Sequence, residues 1–179
     1  MSDIPVPPIK RIAIVGPECT GKTNLCIALA KHYKTAWVPE YARHYIDRLQ
    51  RPYTQDDLFT IAKGQLFTED ELALEANTFL FCDTNLLVIK VWSEYKFGNC
   101  SPEILHLLKI KTYDLHLLTN IDVPWENDPQ REHPDKREYF YSLYKKELNA
   151  LGIDYHEISG SKPERLAQAI RCIDSLKSD

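Results

Sequence analysis

The fold is decided by eight consecutive residues, Gly16-Pro17-Glu18-Cys19-Thr20-Gly21-Lys22-Thr23. They fit the pattern Gly-x-x-x-x-Gly-Lys-Ser/Thr of a phosphate-binding loop, whose glycines let the backbone curl until its N–H groups point inward at phosphate oxygens. A short β-branched run at residues 11–15 precedes the loop, and a helical pattern at residues 21–32 follows it. Because the motif requires this strand–loop–helix context, all eight residues are predicted to bind the phosphates of a nucleoside triphosphate.

Two side chains of this loop have expected roles of their own. The Lys22 ammonium can reach the β- and γ-phosphates, and the Thr23 hydroxyl can bind Mg²⁺. The helix that starts at the loop adds the positive end of its dipole. We therefore expect ATP and Mg²⁺ as cofactors.

Short apolar runs alternate with helical patterns along the rest of the chain. This alternation predicts an α/β fold, a P-loop NTPase with a five-stranded parallel sheet and helices on both faces, as in nucleoside and nucleotide kinases. The predicted strands cover residues 11–15, 35–38, 78–82, 113–118 and 154–158. The longest predicted helix covers residues 54–77. Three helix starts are predicted from capping pairs, Thr54 with Asp57, Asp135 with Glu138, and Ser161 with Glu164.

The domain organisation follows from length and loop pattern. The chain has 179 residues, about the length of one domain. We expect an N-terminal extension over residues 1–10 and a single P-loop domain over residues 11–177. One long, charged loop around residues 120–135 contains three prolines. Because a loop of that length in a compact domain is usually functional, we predict that it is a lid.

Composition excludes several other classes of protein. The chain has 22 Lys plus Arg against 26 Asp plus Glu, a formal charge of −4, so no nucleic-acid partner is expected. Its five cysteines form no Cys-x-x-Cys pair, which is typical of reduced thiols in a cytoplasmic protein. No stretch approaches the ~18 apolar residues of a membrane span, so no membrane association is expected. A homo-oligomer stays an open alternative.

Two carboxylates are placed to take part in chemistry at the carboxyl edge of the sheet. Asp83 ends the third predicted strand, where it could hold Mg²⁺, although it could also serve as a helix N-cap. Glu40 follows the second strand, where it could accept a proton from a substrate hydroxyl or hold a ribose. The alternative for Glu40 is a first-turn glutamate favoured by the helix dipole.

Four further residues are weighed between function and structure. Arg131, in the long loop, could stabilise charge on a transferring phosphoryl group, or could pair on the surface with Asp128 or Glu132. Arg43 could bind phosphate or form a surface ion pair, and Trp125 could stack on an aromatic ring or anchor its loop. Arg137 is a second candidate for the role given to Arg131, but we expect it to be solvated because it lies inside the next predicted helix. Trp37 and Trp92 are expected in the core, and Gly64 is interpreted as a helix-packing contact.

The class of P-loop protein follows from what accompanies the loop. A GTPase would need Asn-Lys-x-Asp after the fourth strand, but residues 119–122 read Thr-Asn-Ile-Asp. Four segments in order, residues 16–23, 40–43 (Glu-Tyr-Ala-Arg), 83–85 (Asp-Thr-Asn) and 123–131, resemble the ribosylnicotinamide kinase domain of NadR-type proteins, a nucleoside-kinase-like P-loop family. The resemblance extends from about residue 12 to residue 173.

The resemblance implies a phosphotransferase of NAD biosynthesis. It would transfer phosphate from ATP, with Mg²⁺, to the 5′-hydroxyl of a nucleoside-like acceptor, nicotinamide riboside. Lys22, Glu40, Asp83 and Arg131 would be catalytic, and Thr23 with Asp83 would hold the metal. Glu40, Tyr41, Arg43 and Trp125 would bind the acceptor. Two positions depart from the family pattern, Pro39 in place of a common Trp and Asn85 in place of an Asp.

Two alternatives remain open. One is a kinase of another nucleoside or of a nucleoside monophosphate. The other is an ATP-binding regulatory module without turnover. The presence of Glu40, Asp83 and Arg131 together favours catalysis over binding alone.

Overall fold

The structure, a computed structural model, describes residues 8–131 and 133–176. Most of the predicted N-terminal extension and residue 177 lie outside the described residues. The first half of the chain contains β1 (Lys10–Val15), α1 (Lys22–Tyr33), β2 (Trp37–Val38), α2 (Tyr41–Arg48), α3 (Gln55–Ala73) and β3 (Phe79–Asp83). The second half contains α4 (Leu86–Phe97), α5 (Pro102–Ile110), β4 (Leu115–Thr119), a 3₁₀ turn (Pro134–Lys136), α6 (Arg137–Ala150), β5 (Tyr155–Ile158) and α7 (Lys162–Ser175).

The five strands form one parallel sheet in the order β2-β3-β1-β4-β5. β1 is therefore central, and its residues Ile12, Ala13, Ile14 and Val15 are all fully buried. Such continuous apolar burial is typical of a parallel strand covered on both faces. The predicted five-stranded parallel sheet is confirmed.

Helices cover both faces of this sheet. On one face, α1 and α7 pack their apolar sides against β1, β3 and β4. On the other face, α4 and α6 pack against β1 and β4, and α2, α3 and α5 form an adjoining cluster with α4. The carboxyl ends of the strands are left open at one edge, where ligands of such sheets bind.

Two of the three predicted capping pairs are confirmed. Thr54 with Asp57 and Ser161 with Glu164 form reciprocal capping boxes at the starts of α3 and α7. The prediction for Asp135 with Glu138 is wrong, because Pro134 opens a 3₁₀ turn and α6 begins only at Arg137. Proline fixes the backbone φ angle and has no N–H, which suits the first turn of a helix.

The longest helix is shorter than its apolar pattern predicts. α3 ends at Ala73 rather than at residue 77, because the chain turns to reach β3. There the Asn77 N–H donates to Thr35 Oγ1 at 2.7 Å, and Thr78 adopts a positive φ of 63°.

Gly64, inside α3, lies where α2 approaches most closely. A Cβ at this position would lie 2.2 Å from Tyr41 Cε1, so only glycine admits the tyrosine ring. The predicted helix-packing role of Gly64 is confirmed. Within the described ranges, no helix combines the length and the apolar character needed to cross a membrane.

Candidate active site

The phosphate loop connects β1 to α1 and lies against the carboxyl end of β4. Gly16 has a φ of 141°, and a Cβ there would lie 2.6 Å from Thr119 Oγ1, so the close approach of the two strand ends requires glycine. Gly21 has a φ of 80° and forms the N-cap of α1. Cys19, between them, also has a positive φ of 56°. These angles give the loop the tight curl that the motif predicts.

Lys22 lies over the mouth of the loop. Its Nζ donates to the carbonyl oxygens of Gly16 at 3.1 Å and Pro17 at 2.7 Å. Thr20 points the other way and is fully buried, with its Oγ1 2.7 Å from Thr119 Oγ1. Of the eight predicted phosphate-binding residues, Thr20 can therefore contribute only its backbone.

Asp83 and Thr23 meet beside the loop. Thr23 Oγ1 donates to Asp83 Oδ2 at 2.5 Å, and Asp83 Oδ1 is buried without a hydrogen-bond partner among the described residues. Burial raises the pKa of Asp83, and the charge of Lys22 opposes that rise. The N-cap alternative for Asp83 is wrong, because Asn85 caps α4 by accepting from the Leu87 N–H at 3.1 Å.

These two residues fit a magnesium site. Mg²⁺ prefers oxygen ligands and is usually held by one or two carboxylates together with substrate phosphates. A threonine hydroxyl beside a buried carboxylate oxygen with no partner supplies this donor set. No group of three or more His, Cys, Asp or Glu that could hold a metal occurs within residues 8–131 and 133–176.

Glu40 stands at the N-cap of α2 and faces the same space as Asp83 and Lys22. Burial raises its pKa to about 7, although the nearby Lys22 charge favours the carboxylate. The peptide that follows Glu40 is fixed, because the Tyr41 N–H donates to the buried Gln65 side chain at 3.0 Å. A carboxyl with a pKa near neutrality is suited to accepting a proton.

A cleft of about 480 Å³ joins these groups. Its lining includes the phosphate loop, Glu40, Arg43, Asp83 and Arg131. Four aromatic side chains form much of the rest of the wall, namely Trp37, Trp92, Phe140 and Tyr144. Trp37 and Trp92 pack against the core as predicted, but both are only half-buried, because one side of each faces the cleft.

The loop after β4 closes one side of the cleft. Arg43 Nη1 donates to Asp128 Oδ2 at 2.8 Å, and Gln130 Nε2 donates to the Arg43 carbonyl at 3.2 Å. Arg131 Nη1 lies 3.2 Å from Cys19 Sγ and donates to the Glu126 carbonyl at 2.5 Å. Arg131 therefore touches the phosphate loop, and its alternative partner Glu132 lies outside the described residues.

Two residues predicted to bind the acceptor lie elsewhere. Trp125 lines neither the cleft nor the second cavity described below, and its Nε1 donates to Asn127 Oδ1 within its own loop at 3.1 Å. Tyr41 is turned toward α3, because the missing side chain of Gly64 leaves room for its ring. Both side chains support the elements that carry the site rather than line it.

A second cavity, of about 680 Å³, lies on the other side of the phosphate loop. Its wall includes Leu25 and Ala28 of α1, Val123 and Pro124 of the loop after β4, and Arg165 of α7. The two cavities share Cys19, Gly21, Asn24, Glu126 and Arg131. The phosphate loop therefore stands between two spaces that can each take part of a ligand.

Sequence reasoning missed the contacts that two arginines make at this site. Arg137, expected in solvent, donates from Nη2 to the carbonyls of Cys19 at 3.2 Å and Val123 at 2.8 Å. Arg165 is 4% exposed and donates from Nη1 to the Thr20 carbonyl at 2.6 Å. The one sequence signal was the placement of Arg165 beside the apolar stripe of α7, where a charged residue needs buried partners.

A sequence profile of the AAA_28 family, described as an AAA domain, matches residues 11–165. The chain belongs to the AAA_28 family. The matched segment extends from β1 through the phosphate loop and the cleft to Arg165, so the family is defined over the whole site.

Two curated proteins place this AAA_28 chain near the NadR proteins. It is 24% identical over 177 residues to the trifunctional NAD biosynthesis/regulator protein NadR of Salmonella typhimurium strain LT2. It is 25% identical over 178 residues to the NadR of Escherichia coli strain K12. Each alignment covers 94% of this chain and 42% of the relative, so the chain spans about two fifths of their length.

Solved structures show the same relationship at the level of the fold. The NadR protein in complex with NR superposes with a TM-score of 0.77 at 21% identity, over 94% of this chain and 51% of that one. A thymidylate kinase from Ehrlichia chaffeensis superposes with a TM-score of 0.65 at 13% identity, over 93% and 100% of the two chains. The fold is therefore one that this chain shares with nucleoside and nucleotide kinases.

Proposed function

We propose that this chain is an ATP- and Mg²⁺-dependent kinase that phosphorylates the 5′-hydroxyl of nicotinamide riboside. The observation that carries the proposal is the single cleft onto which Lys22, Asp83 and Glu40 converge, with a second cavity across the phosphate loop. Phosphoryl transfer needs a donor site and an acceptor site on either side of the transferred group. The two cavities supply this arrangement.

The donor nucleotide would bind across the phosphate loop. Its base would enter the cavity beside Leu25 and Pro124, and its phosphates would meet the loop N–H groups and the Lys22 ammonium. Thr23 and Asp83 would hold Mg²⁺, which when bound neutralises charge on the β- and γ-phosphates. Arg131, from the loop that we propose as a lid, would place its positive charge beside the negative charge that develops in the transition state.

The acceptor would bind in the aromatic cleft with its hydroxyl near Glu40. Glu40 would accept the hydroxyl proton as the oxygen attacks the γ-phosphate. Asp83, engaged with Thr23, is less free to take that role. Glu40 would therefore be the base and Asp83 the metal ligand.

The charge and the aromatic walls of the cleft support nicotinamide riboside as acceptor. Five carboxylates line it, against three Lys or Arg side chains, namely Glu18, Glu40, Asp83, Glu126 and Asp128 against Lys22, Arg43 and Arg131. Nicotinamide riboside carries a positively charged pyridinium ring, and aromatic faces attract cations. The structural relative NadR is described with NR bound, which agrees with this assignment.

A coupled ADP-release assay with a panel of acceptors tests the proposal. We expect nicotinamide riboside to give the highest kcat/KM, ahead of adenosine, cytidine, thymidine and thymidine monophosphate. Lys22→Ala is the control and should abolish turnover, because no other side chain of the loop places a compact positive charge at the phosphates. Preference for a neutral nucleoside or a monophosphate would overturn nicotinamide riboside as the proposed acceptor. ATP binding without turnover on any acceptor would overturn the proposal that the chain is a kinase.

A further inference from the structure

Two successive carbonyl groups of the phosphate loop are held by arginines from distant helices. Arg137, the first residue of α6, donates to the Cys19 carbonyl, and Arg165, in the first turn of α7, donates to the Thr20 carbonyl. A hydrogen bond between a guanidinium and a carbonyl is charge-assisted and stronger than one between neutral groups. Each of these two peptide groups is therefore fixed from outside the loop.

The planarity of the peptide bond makes this contact relevant to phosphate. In a trans peptide the C=O of one residue and the N–H of the next lie in one plane and point in opposite directions. No peptide bond in the described residues is cis. An arginine that holds the Thr20 carbonyl therefore aims the Gly21 N–H the opposite way, and Arg137 does the same for the Thr20 N–H through Cys19.

Arg165 is itself held in place by several acceptors. Its Nε donates to the Gly160 carbonyl at 2.8 Å, and its Nη2 donates to the Asn120 carbonyl at 2.9 Å and to the Asp122 carboxylate. One buried guanidinium thus joins the loops that follow β1, β4 and β5. Asp122 also accepts from the Gly160 N–H at 2.5 Å, which closes the network.

Arg137 makes a weaker contact of the same kind. Only its Nη2 is engaged, with the Cys19 and Val123 carbonyls, and its Nε is buried without an acceptor among residues 8–131 and 133–176. The distance to the loop carbonyl is also longer, 3.2 Å against 2.6 Å for Arg165. The contribution of Arg137 is therefore the smaller one.

We propose that Arg165, and to a lesser degree Arg137, are positioning residues that aim the Gly21 and Thr20 N–H groups at the phosphates of the donor nucleotide. This inference rests on the proposed function in that it takes the loop to bind a nucleotide. Lysine cannot replace Arg165, because its ammonium group lacks the planar array of N–H donors with which the guanidinium binds acceptors in three loops.

The test compares the affinity for ADP of Arg165→Lys, Arg137→Lys and the wild type, measured by calorimetry with Mg²⁺. Arg171→Lys, an exposed arginine of the same helix, is the matched control. We expect Arg165→Lys to bind ADP about tenfold more weakly or worse, Arg137→Lys to show a smaller loss, and the control to match the wild type. In steady state, Arg165→Lys should raise the KM for ATP while the KM for the acceptor stays within about twofold.

A folded Arg165→Lys protein that binds ADP within twofold of the wild type would overturn the inference. So would equal increases in both KM values, because a merely structural defect would affect both ligands. If Arg165→Lys does not fold, Asp122→Asn carries the test, since it removes the carboxylate partner of Arg165 and leaves the guanidinium; unchanged ADP affinity there would count against the proposal. A wild type that binds ADP but phosphorylates no nucleoside would refute the proposed function alone.

Discussion

Arg43 Nη1 lies 2.8 Å from Asp128 Oδ2, so a side chain of α2 is bonded to the loop that follows β4. Arg43 is one turn beyond Glu40, and Asp128 is three residues before Arg131. The ion pair therefore connects the segment with the proposed base to the segment with the proposed lid arginine. Both partners are partly exposed, so its contribution to global stability is expected to be small.

The first prediction concerns this pair. Asp128→Asn removes the charge that holds Arg43, and we expect the KM for the acceptor to rise several-fold because the proposed lid would be held less firmly over the cleft. The melting temperature should stay nearly unchanged, since exposed ion pairs contribute little. Unchanged KM values for both substrates would show that the pair is a surface contact without a role in binding.

Asp83→Asn should lower kcat strongly while the fold stays intact. Asn preserves the shape of the side chain but removes the charge that would hold Mg²⁺ beside Thr23. A titration of activity against Mg²⁺ should shift to higher concentrations in the variant. Asn85→Ala is a useful comparison, because it removes the cap of α4 and should lower stability without shifting that titration.

The pH dependence of activity follows from Glu40. Its pKa is raised by burial from 4.5 to about 7, so the carboxyl becomes protonated as the pH falls through about 7. A protonated carboxyl cannot accept the hydroxyl proton, and kcat/KM for the acceptor should therefore fall tenfold per pH unit below that point. In Glu40→Gln this limb should disappear, with a rate lower by about 10²–10⁴ and ATP affinity nearly unchanged.

Stability supplies the control for Glu40. An acid whose pKa is higher in the folded state than in the unfolded state lowers the stability of the fold as the pH rises from the unfolded-state pKa to the folded-state pKa. At pH 8 the partly buried carboxylate of Glu40 is charged, so Glu40→Gln should be at least as stable as the wild type in thermal unfolding. A large loss of stability in that variant would indicate a structural role.

Arg131→Ala should lower kcat more than it raises the KM for ATP. An arginine that meets developing charge on the transferred group stabilises the transition state more than the bound substrate. We expect kcat to fall by about 100-fold or more, with partial recovery in Arg131→Lys, which keeps the charge but not the planar fork. A kcat within about twofold of the wild type would identify the contacts with Cys19 and Glu126 as structural only.

Gly64→Ala tests how closely α2 and α3 are packed. The added methyl would lie 2.2 Å from Tyr41 Cε1, so the ring and the start of α2 must move. We expect a loss of about 1–3 kcal/mol in the free energy of unfolding and a lower kcat, because Glu40 precedes Tyr41. In chemical denaturation, the double variant with Tyr41→Leu should lose less than the sum of the two single variants.

The sheet and most of the helices could be predicted from sequence because each depends on a local signal. Apolar runs, capping boxes and the phosphate-loop motif are each contained in a short stretch of consecutive residues, and each specifies the structure of that same stretch. In sequence, Asp83 suits both a metal ligand and a helix cap, because a carboxylate at the end of a strand can serve in either role. The structure assigns the cap to Asn85, two residues later.

The rest of the site depends on contacts between distant segments. Trp37 and Trp92 look like core residues in sequence, and only the three-dimensional arrangement of the strand ends and helices shows that each has a side in the cleft. Arg165 lies 145 positions from Thr20 along the chain. No local pattern identifies a partner so far away along the chain, so the contact between Arg165 and the phosphate loop could not be predicted from sequence.

The central position of β1 sets how the site responds to local opening. Its four last residues are fully buried between two neighbouring strands, whereas much of the loop from 120 to 131 is irregular and exposed. Amide hydrogens of β1 should exchange with solvent only when the whole domain unfolds, and those of the loop should exchange through small, frequent fluctuations. The phosphate loop is therefore anchored by a slowly exchanging strand, β1, and is contacted by Arg131 from a rapidly exchanging loop.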